Sequence, residues 1–488
     1  MNERFFSGEL SRRSALIAAG GCLAACASSP VGFGKAEARP GPWDDAAGSF
    51  EHGDSARTSL FSGVDPFAAA GPVAKADAAP FATPGLWSVA FDRRGVGFAL
   101  HGVLGGAGQT PRLSAFDPHS LKEIWRIDLP APEGRYWNYP GGIGLLAGGG
   151  LYAVFATRIV RVDPRTGTLL SLRDLPAPNG AADTAYNGFV ALSDGRLLTK
   201  SHHRKTDCPH GGYRAIIECG VEDLPPSALV LLDSERLDIL WQGSAPEFVG
   251  GRVSAIRSGD REFIYLAGAT SLHRLVYDGA RLHPDARWGP VRYVRDGETP
   301  GTAAVGFGRF VVIQNNAAPA ASPLRLTVVS QEDATDRAEI RPFEDRFDGV
   351  SFMPSKPSAD VANKRILVSE AHGALAAIRW SKGALTREWT LDAKSGSFMP
   401  LLGPAPARIL VASDIGAARF DRWGAPVHDR ERAIWVDAAS GRILGEIPDL
   451  PRNFGLTLTP FADGSIYWAS REGGLLRLRA AAEFRASK

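Results

Sequence analysis

The densest group of chemically versatile side chains lies in a short polar stretch around residue 205. Imidazole and carboxylate groups are common ligands of zinc and copper, and the stretch supplies three imidazoles and a carboxylate: His202, His203, Asp207 and His210. Adjacent side chains on a strand point to opposite faces, so His202 and His203 would not share an ion, and neighbouring Arg204 and Lys205 would repel one. Three interpretations stay open: a metal site, a binding-surface loop formed by His202, His203, Asp207 and His210, and a plain insertion.

A second group follows the apolar stretch 366–369. Glu370 and His372 alternate along the chain, which would send both to one side of a strand. They could form an acid–base pair or a pair of metal ligands there, although the same residues are ordinary on a surface hairpin. Asn315 and Glu298 fall near other predicted strand ends and are further candidate oxygen ligands.

The elements that must position these groups are strands, grouped in a unit that recurs from Leu86 onward. Each unit reads as four strands, with a turn carrying Asp and often Gly between the third and the fourth, and with Trp near the end of several copies. No long stretch has helical periodicity. A spacing of about fifty residues is the scale of one propeller blade. The clearest copies span 113–125, 158–170, 229–241 and 433–444.

The predicted fold is all-β, a single β-propeller of four-stranded blades. Third strands centre near residues 115, 160, 230, 275, 327, 377, 435 and 476. This favours eight blades, or seven if one degenerate copy is an insertion. The last copy runs out of chain, so a segment before Leu86 is expected to supply its fourth strand and close the ring. The repeated aspartates cap turns and are interpreted as structural.

Several catalytic signatures are missing from the chain. It has no phosphate loop, no His-Glu-x-x-His and no Gly-x-Ser-x-Gly. The glycine-rich run 141–144 lacks the strand–helix setting of a dinucleotide site. We expect it to let inner strands crowd the propeller axis.

The charge balance and the cysteine content limit further which class of protein this chain can belong to. The chain has 55 basic and 53 acidic side chains and no long run of one sign, so nothing indicates a nucleic-acid surface. It has four cysteines, two of them near the N-terminus. Cys208 and Cys219 remain, and in an oxidising compartment they are expected to form a disulfide. Two separate buried thiols are the alternative.

The N-terminus is typical of an exported protein. Arg12 and Arg13 precede a short apolar stretch that ends in small residues before Cys26. The paired arginines resemble a twin-arginine export signal, with Sec export as the alternative. The sequence Leu23-Ala24-Ala25-Cys26 resembles a bacterial lipobox, which implies lipidation of Cys26; Cys22 fits that pattern less well. We expect a periplasmic location, with a lipid anchor to a membrane.

The predicted organisation has four parts. Residues 1–25 are a signal peptide and 26–84 an Ala-, Gly-, Pro- and Ser-rich flexible tether, part of which, around Trp43 or Phe61, packs on the fold or closes the ring. Residues 85–482 are the propeller, and 483–488 are a C-terminal tail.

The repeat, strand-Asp-Pro-x-Thr-Gly-x-Leu-strand with recurrent Trp, resembles the quinoprotein-like propeller superfamily over about residues 86–480. That resemblance implies either an alcohol dehydrogenase using pyrroloquinoline quinone or a cofactor-free lipoprotein scaffold in outer-membrane protein assembly. Quinone enzymes of this type usually cover the quinone with a disulfide between adjacent cysteines. This chain has no adjacent pair, which argues against the quinone.

The segment 186–197 resembles the Asn-Gly…Asp-Gly segment of gluconolactonase-like and strictosidine-synthase-like propellers. The resemblance implies that Asn187 binds a divalent cation such as calcium on the axis. Glu298, Asn315 and Glu370 are further candidate ligands only because they fall near predicted strand ends. Asn-Gly and Asp-Gly pairs are also ordinary turn residues.

The leading hypothesis is a monomeric, membrane-tethered envelope protein that binds an envelope protein or a small ligand on one propeller face without chemistry. The alternative is a cation-dependent hydrolase or lactonase, in which a metal held by Asn187 polarises a carbonyl and His372 or His202 is the base. A quinone-dependent dehydrogenase ranks third. Whether the protein is an enzyme is left open at this point.

Overall fold

The computed structural model describes residues 42–68, 74–75, 85–102, 110–139, 141–296, 298–317, 324–346, 356–370, 373–420, 426–470 and 474–480. The signal segment with Cys22 and Cys26, the C-terminal tail 483–488 and His372 lie outside the described residues. Among the described helices, none is long and apolar enough to cross a membrane.

The described chain forms eight blades. Each blade is an antiparallel sheet, and its strands mostly follow one another in the chain. Two short strands precede them, β1 (Leu60–Phe61) and β2 (Ala74–Lys75). The first four blades are as follows. Blade 1 contains β3 (Ser88–Phe91), β4 (Gly97–His101), β5 (Arg112–Phe116) and β6 (Glu123–Asp128); blade 2 contains β7 (Gly142–Leu145), β8 (Leu151–Phe155), β9 (Arg158–Val162) and β10 (Leu169–Asp174). Blade 3 contains β11 (Thr184–Ala191), β12 (Leu197–His203), β13 (Ala228–Leu232) and β14 (Ile239–Ser244); blade 4 contains β15 (Val249–Ser258), β16 (Arg261–Gly268), β17 (Ser271–Tyr277) and β18 (Leu282–Pro284), with β19 (Val291–Arg292) beside β17.

The last four blades follow the same plan. A small pair, β20 (Glu298–Thr299) and β23 (Asn316–Ala317), flanks blade 5, which contains β21 (Val305–Phe307), β22 (Phe310–Gln314), β24 (Leu326–Ser330) and β25 (Arg337–Ile340). Blade 6 contains β26 (Ser358–Asp360), β27 (Arg365–Ser369), β28 (Leu375–Ser381) and β29 (Ala384–Leu391). Blade 7 contains β30 (Leu401–Leu402), β31 (Ile409–Asp414), β34 (Arg430–Asp437) and β35 (Ile443–Pro451), with the pair β32 (Arg419–Phe420) and β33 (Pro426–Val427) in one connection. Blade 8 contains β36 (Asn453–Pro460), β37 (Ile466–Ser470) and β38 (Leu475–Arg479).

The predicted eight-bladed propeller is confirmed, and each predicted third strand is the third strand of a blade. The missing fourth strand of blade 8 is β2, which pairs antiparallel with β38 through Ala74 and Arg479. A segment before Leu86 therefore completes the last blade, as predicted. The junction between blades 8 and 1 is packed with aromatic rings, and the centroids of Phe91 and Tyr467 lie 4.7 Å apart.

The connections divide between two ends of the ring. Turns between first and second strands and between third and fourth strands lie at one end, which we call the turn face; 92–96 and 163–168 are examples. Connections between second and third strands and between blades lie at the other end, the loop face, which carries the insertion 204–227 with helix α1 (Arg214–Cys219). A 3₁₀ turn, Ala405–Ala407, lies on the turn face.

The repeated aspartates act as the sequence predicts. Asp117 accepts hydrogen bonds from the backbone of His119 and Ser120, at 3.0 and 2.6 Å, and these bonds lower the pKa of its carboxyl group. Asp437 binds the backbone of its own turn in the same way. Both carboxylates accept hydrogen bonds within their own turns, so these aspartates are structural residues.

Tryptophans of the fourth strands join neighbouring blades. Trp125 of blade 1 donates to the carbonyl of Pro164 in the next turn, at 3.3 Å. That turn contains Gly167 at φ 74°, and a Cβ atom there would lie 2.9 Å from the Trp125 ring. Glycine is required at this position both by the left-handed backbone and by the ring above it.

Candidate functional site

Residues 42–61, here called the axial segment, run through the centre of the ring. First strands of neighbouring blades contact one another around this centre, and their backbone N–H groups donate to carbonyls of the axial segment. The donor and acceptor pairs are Phe91 to Gly48, Leu145 to Ser49, Ala255 to Ser55, Gly306 to Ala56, Ala359 to Thr58 and Leu401 to Ser59, at 2.8 to 3.1 Å. Ser55 donates to Ala191 of blade 3, and Gly48 lies against Pro460 of blade 8.

This packing corrects part of the predicted tether. Trp43 and Phe61 do pack on the fold, as expected, and both are 3% exposed. However, the surrounding residues from 42 to 61 are also mostly buried, so this part of the predicted tether belongs to the core. Its many small residues let it thread between strands without periodic structure of its own.

The glycine-rich run explains how the axial segment approaches blade 2. Gly144 lies on the inner strand β7, and a Cβ atom at this position would lie 2.9 Å from the rings of both Phe50 and Trp43. Those two rings stack with centroids 3.7 Å apart. The expectation that these glycines permit close packing at the axis is confirmed. The part of the chain that packs against them is the axial segment.

Glu51 is the centre of a buried ion cluster on the axis. Its carboxylate accepts a hydrogen bond from Arg252 Nε at 2.8 Å. It also lies 2.7 Å from Nη2 of the same guanidinium group and 3.5 Å from Arg57. The Glu51 and Arg57 side chains are 1% and 0% exposed. Arg57 also donates to the carbonyl of Val253 at 2.7 Å, and burial lowers its pKa to about 10. A charge buried this deeply requires a partner of opposite sign.

Two buried lysines add positive charge beside this cluster. The ammonium group of Lys356 donates to the Arg57 carbonyl, the Ser59 hydroxyl and the Pro357 carbonyl. Burial, and then repulsion by Arg57, lowers the pKa of Lys356 to about 7. Lys200 donates to the carbonyl of Val249 at 2.6 Å, and burial lowers its pKa well below the usual range.

The resulting electrostatic character of the axis is basic. Asp54 is an anion of the axial segment, and it binds the backbone and hydroxyl of Thr58 at 3.0 and 2.5 Å. Glu51 and Asp54 thus lie near two guanidinium groups, Arg57 and Arg252, and near two amines, Lys200 and Lys356, whose charged forms are disfavoured by burial. A metal cation placed beside the guanidinium groups would be repelled.

A small cavity remains beside the axial segment. It is lined by residues that include Glu51, His52, Phe61 and Phe398 and has a volume of about 20 Å³, enough for one water molecule. The His52 ring meets Phe398 edge to face at 4.7 Å, and burial lowers the pKa of His52. A cofactor of the size of pyrroloquinoline quinone does not fit this cavity.

Asn187, the predicted axial metal ligand, lies on the inner strand β11 and is 2% exposed. Its side-chain oxygen is buried and makes no hydrogen bond. The next residue, Gly188, faces the Arg252 and Arg57 guanidinium groups, at 3.6 and 3.8 Å from where a Cβ atom would stand. The two guanidinium groups therefore lie against the backbone of the residue that follows Asn187.

Two other predicted ligands do come together, but around an arginine. Glu298 forms a buried ion pair with Arg325, and the side-chain oxygen of Asn315 accepts a hydrogen bond from the Arg325 backbone at 2.6 Å. Arg325 thus bonds to both residues, to Asn315 through its backbone N–H and to Glu298 through its guanidinium group. Their proximity is explained by charge pairing rather than by metal binding.

The remaining predicted ligand, Glu370, is buried in the second connection of blade 6, where its backbone N–H bonds to Ala374. Within the described residues, no group of three or more His, Cys, Asp and Glu side chains could hold a metal ion.

The two histidines at the end of β12 are core residues in the structure. His202 packs on Trp137, with centroids 5.5 Å apart, and on Tyr139 at 4.6 Å. His203 is hydrogen-bonded to the Ser201 and Thr184 hydroxyls, at 3.0 and 3.3 Å. Both are 0% exposed. His202 and His203 therefore do not belong to an exposed binding loop, whereas Asp207 is exposed and His210 is half-buried.

The burial of these imidazole groups predicts that the folded protein becomes less stable in acid. Burial, followed by repulsion from Lys200, lowers the pKa of His203 to about 4. The unfolded chain, with a pKa near 6.5, then binds more protons than the folded protein between pH 4 and 6.5. The free energy of unfolding is therefore expected to fall as the pH drops through this range, by up to about 3 kcal/mol from His203. Denaturant unfolding at pH 7 and pH 4.5 measures this.

His203→Gln should remove part of this pH dependence, since glutamine does not titrate. His283→Gln is the matched control, because His283 is exposed beside Asp278. Equal pH slopes for the wild type and the His203 variant would contradict the prediction.

The insertion of blade 3 is braced in two ways. A disulfide joins Cys208 and Cys219, which confirms the predicted pairing and excludes separate thiols. Tyr213, just before α1, donates to the carbonyl of Pro300 at 2.7 Å. His210 pairs with Glu218 of α1 at 2.8 Å. The insertion is therefore a fixed feature of the loop face.

Replacing both cysteines by serine is expected to destabilise the insertion. By loop-closure entropy, a bridge over this span contributes about 3 kcal/mol. Hydrogen exchange should therefore show faster exchange in α1, with core strands such as β13 unchanged. Unchanged protection of α1 in the double variant would refute the bracing role of the disulfide.

The sequence did not single out the residues of the axial cluster. Glu51, Arg57, Lys200, Arg252 and Lys356 look like surface charges, because none belongs to a motif. The one signal that pointed toward them was the glycine-rich run of blade 2.

Comparisons with known proteins identify the fold. No protein-family model and no curated protein matches the chain. The quinohemoprotein alcohol dehydrogenase from Comamonas testosteroni matches at 11% identity, over 89% of this chain and 80% of that chain, with a TM-score of 0.58. Saccharomyces cerevisiae Sqt1 matches at 8% identity, over 84% and 100%, with a TM-score of 0.53. BamB from Moraxella catarrhalis matches at 10% identity, over 83% and 99%, with a TM-score of 0.49.

The likeness to the quinohemoprotein enzyme agrees with the predicted quinoprotein-like propeller. Identities near 10% show a shared fold, and propellers host unrelated functions. The comparisons therefore show the fold alone, and the chain is an eight-bladed β-propeller.

Proposed function

We propose that the protein is a cell-envelope lipoprotein that binds a partner protein on the loop face of its propeller and performs no chemistry. The observation that carries this proposal is the filled axis. The chain's own residues 42–61 occupy the centre that a ligand would need, and they bond to the inner strands around it. The binding capacity of such a ring lies in the connections at its ends.

The loop face offers the more elaborate surface. Its insertion 204–227 is held by a disulfide and by Tyr213, so its exposed residues are presented in a fixed arrangement. Asp207 and Glu222 are exposed on it. A preordered surface loses less conformational entropy on binding than a mobile one.

In vivo photocrosslinking tests the partner-binding proposal. A photoreactive amino acid is placed at Asp207 or Glu222, and at Lys382 on the turn face as the control. One specific adduct from the first two positions and none from Lys382 is the expected result. The proposal is wrong if neither loop position yields an adduct and the purified protein hydrolyses esters or lactones.

The membrane anchor is tested separately. Cys26→Ser should move the protein from the membrane fraction to the soluble periplasmic fraction. Export through the twin-arginine route predicts that Arg12→Lys combined with Arg13→Lys blocks export. Membrane association that persists in the Cys26 variant would contradict a lipid anchor at this residue.

The metal-dependent hydrolase has one observation in its favour, the buried and unbonded oxygen of Asn187. The guanidinium groups of Arg57 and Arg252, which lie against the neighbouring Gly188, oppose a metal near that place. We expect Asn187→Ala to leave the divalent-metal content of the purified protein unchanged. Metal analysis by mass spectrometry, with Asn179→Ala as the control, measures this. Stoichiometric calcium that the Asn187 variant loses would establish the hydrolase alternative instead.

A further inference from the structure

Exposed apolar side chains are concentrated on one part of the ring. Large apolar side chains that are exposed in the described chain lie mostly on the fourth strands of blades 1 to 3, and only two lie elsewhere, Val361 and Val427. The members of this group, called the apolar rim, are Ile124, Leu169, Leu170, Ile239 and Leu240, which are 38% to 55% exposed.

The apolar rim occupies equivalent positions in three consecutive blades. In each of these blades the register between the third and fourth strands shifts, and the fourth strand has one extra residue at the shift. These extra residues are Ile124, Leu170 and Leu240. The same position in blade 6 is Glu388, which pairs with Arg365 and Arg379 at 2.6 Å. In blade 7 it is Leu444, which is buried. The bulge itself therefore does not require an exposed apolar residue.

The position of the rim relative to the chain's N-terminal end is the second observation. Each rim residue follows a turn between third and fourth strands, so the rim borders the turn face. The described chain begins at the same face and at the same blades. The carbonyl of Pro42 accepts from Ala147 in the first turn of blade 2, and Asp44 accepts from Arg93 in the first turn of blade 1.

The length of chain before Pro42 limits its distance from an anchor. Residues 27–41 separate Cys26 from the described chain. They could span at most about 55 Å when fully extended, and about 22 Å as a flexible coil. An acylated Cys26 would thus hold the turn face of blades 1 and 2 close to the bilayer.

We propose that the apolar rim of blades 1 to 3 lies against the lipid surface that holds the anchor. The proposal rests on the lipid anchor of the proposed function. Exposed leucine and isoleucine side chains leave water on entering the interfacial region, which favours this orientation. The ring then meets the membrane by its turn face at blades 1 to 3, and the loop face with its insertion points away from the bilayer.

The experiment uses the full-length acylated protein in vesicles of phosphatidylethanolamine and phosphatidylglycerol. A polarity-sensitive fluorophore is attached to Leu170→Cys. The matched control is Ala384→Cys, an exposed residue at the start of the fourth strand of blade 6. The expected result is a blue-shifted emission at position 170 that lipid-borne quenchers reduce, with neither effect at position 384. Adding Ile124→Ser and Leu240→Ser should return the emission at position 170 to that of the control.

The outcomes separate this inference from the function on which it rests. Equal emission at the two positions, with acylation of Cys26 verified by mass spectrometry, overturns the docking and leaves the anchor intact. Absence of acylation overturns both the anchor and the docking. A blue shift at position 170 in the vesicles that lipid-borne quenchers do not reduce shows that a surface other than lipid covers the rim and overturns the lipid as its occupant.

Discussion

Glu51→Ala is expected to lower the free energy of unfolding by about 3–5 kcal/mol, because it leaves buried guanidinium groups without their counterion. Arg252 and Arg57 both lie against this carboxylate, and neither side chain can reach solvent. Arg57 and Arg252 also repel each other, and the loss of Glu51 leaves that repulsion uncompensated. Equilibrium unfolding in urea at pH 7 measures the change.

Glu222→Ala is the control for this prediction. Glu222 pairs with Lys205 at 3.3 Å on the surface, and exposed pairs contribute less than about 1 kcal/mol. Glu51→Gln keeps the size of the side chain and removes its charge, so it should lose most of the same free energy. If both Glu51 variants were as stable as the Glu222 variant, the axial ion cluster would not hold the segment in place.

Trp125→Ala is expected to cost about 3–5 kcal/mol, since it removes a large ring from the junction of blades 1 and 2. The indole covers Gly167 and donates to the Pro164 carbonyl. The junction of blades 2 and 3 has no tryptophan at the equivalent position. Ser171 of blade 2 takes the equivalent place, and the turn of blade 3 carries Leu237 where blade 2 has Gly167.

Leu237 is fully buried although its φ of 61° is unfavourable for leucine. Its side chain therefore fills the space that a tryptophan fills in the preceding junction. Gly167→Leu should recover part of the loss in the Trp125→Ala background and should destabilise the otherwise unchanged protein. Thermal unfolding of the two single variants and the double variant tests this coupling. Additive effects would show that the two positions do not share one space.

The repeating part of the fold could be predicted from the sequence because each blade has its own local sequence pattern. Asp, Gly and Trp recur at fixed offsets, since each turn and each blade junction needs them. The pairing of Cys208 with Cys219 followed from the small number of cysteines. The strand that completes blade 8 was predicted as a segment before Leu86, although its residues were not.

The axial segment could not be predicted from the sequence beyond the packing of Trp43 and Phe61. Its shape is determined by partners far away in the chain, such as Arg252 for Glu51, and nothing local distinguishes a buried arginine from a surface one. The surroundings of the candidate metal ligands could not be predicted for the same reason. Alternation placed Asn315 and Glu298 at strand ends, but it could not show that Arg325 bonds to both of them.

The places of residues 42–61 and of β2 in the fold also set an order on the synthesis of the protein. The other strands of blade 8 follow the first seven blades in the chain, yet β2 and the segment inside the ring are made before all of the blades. Contacts so distant in the chain form slowly, because a long loop must close before they can be made. A nascent or truncated chain therefore holds Glu51 and Arg57 without the strands that enclose them, and only the complete polypeptide can bury both.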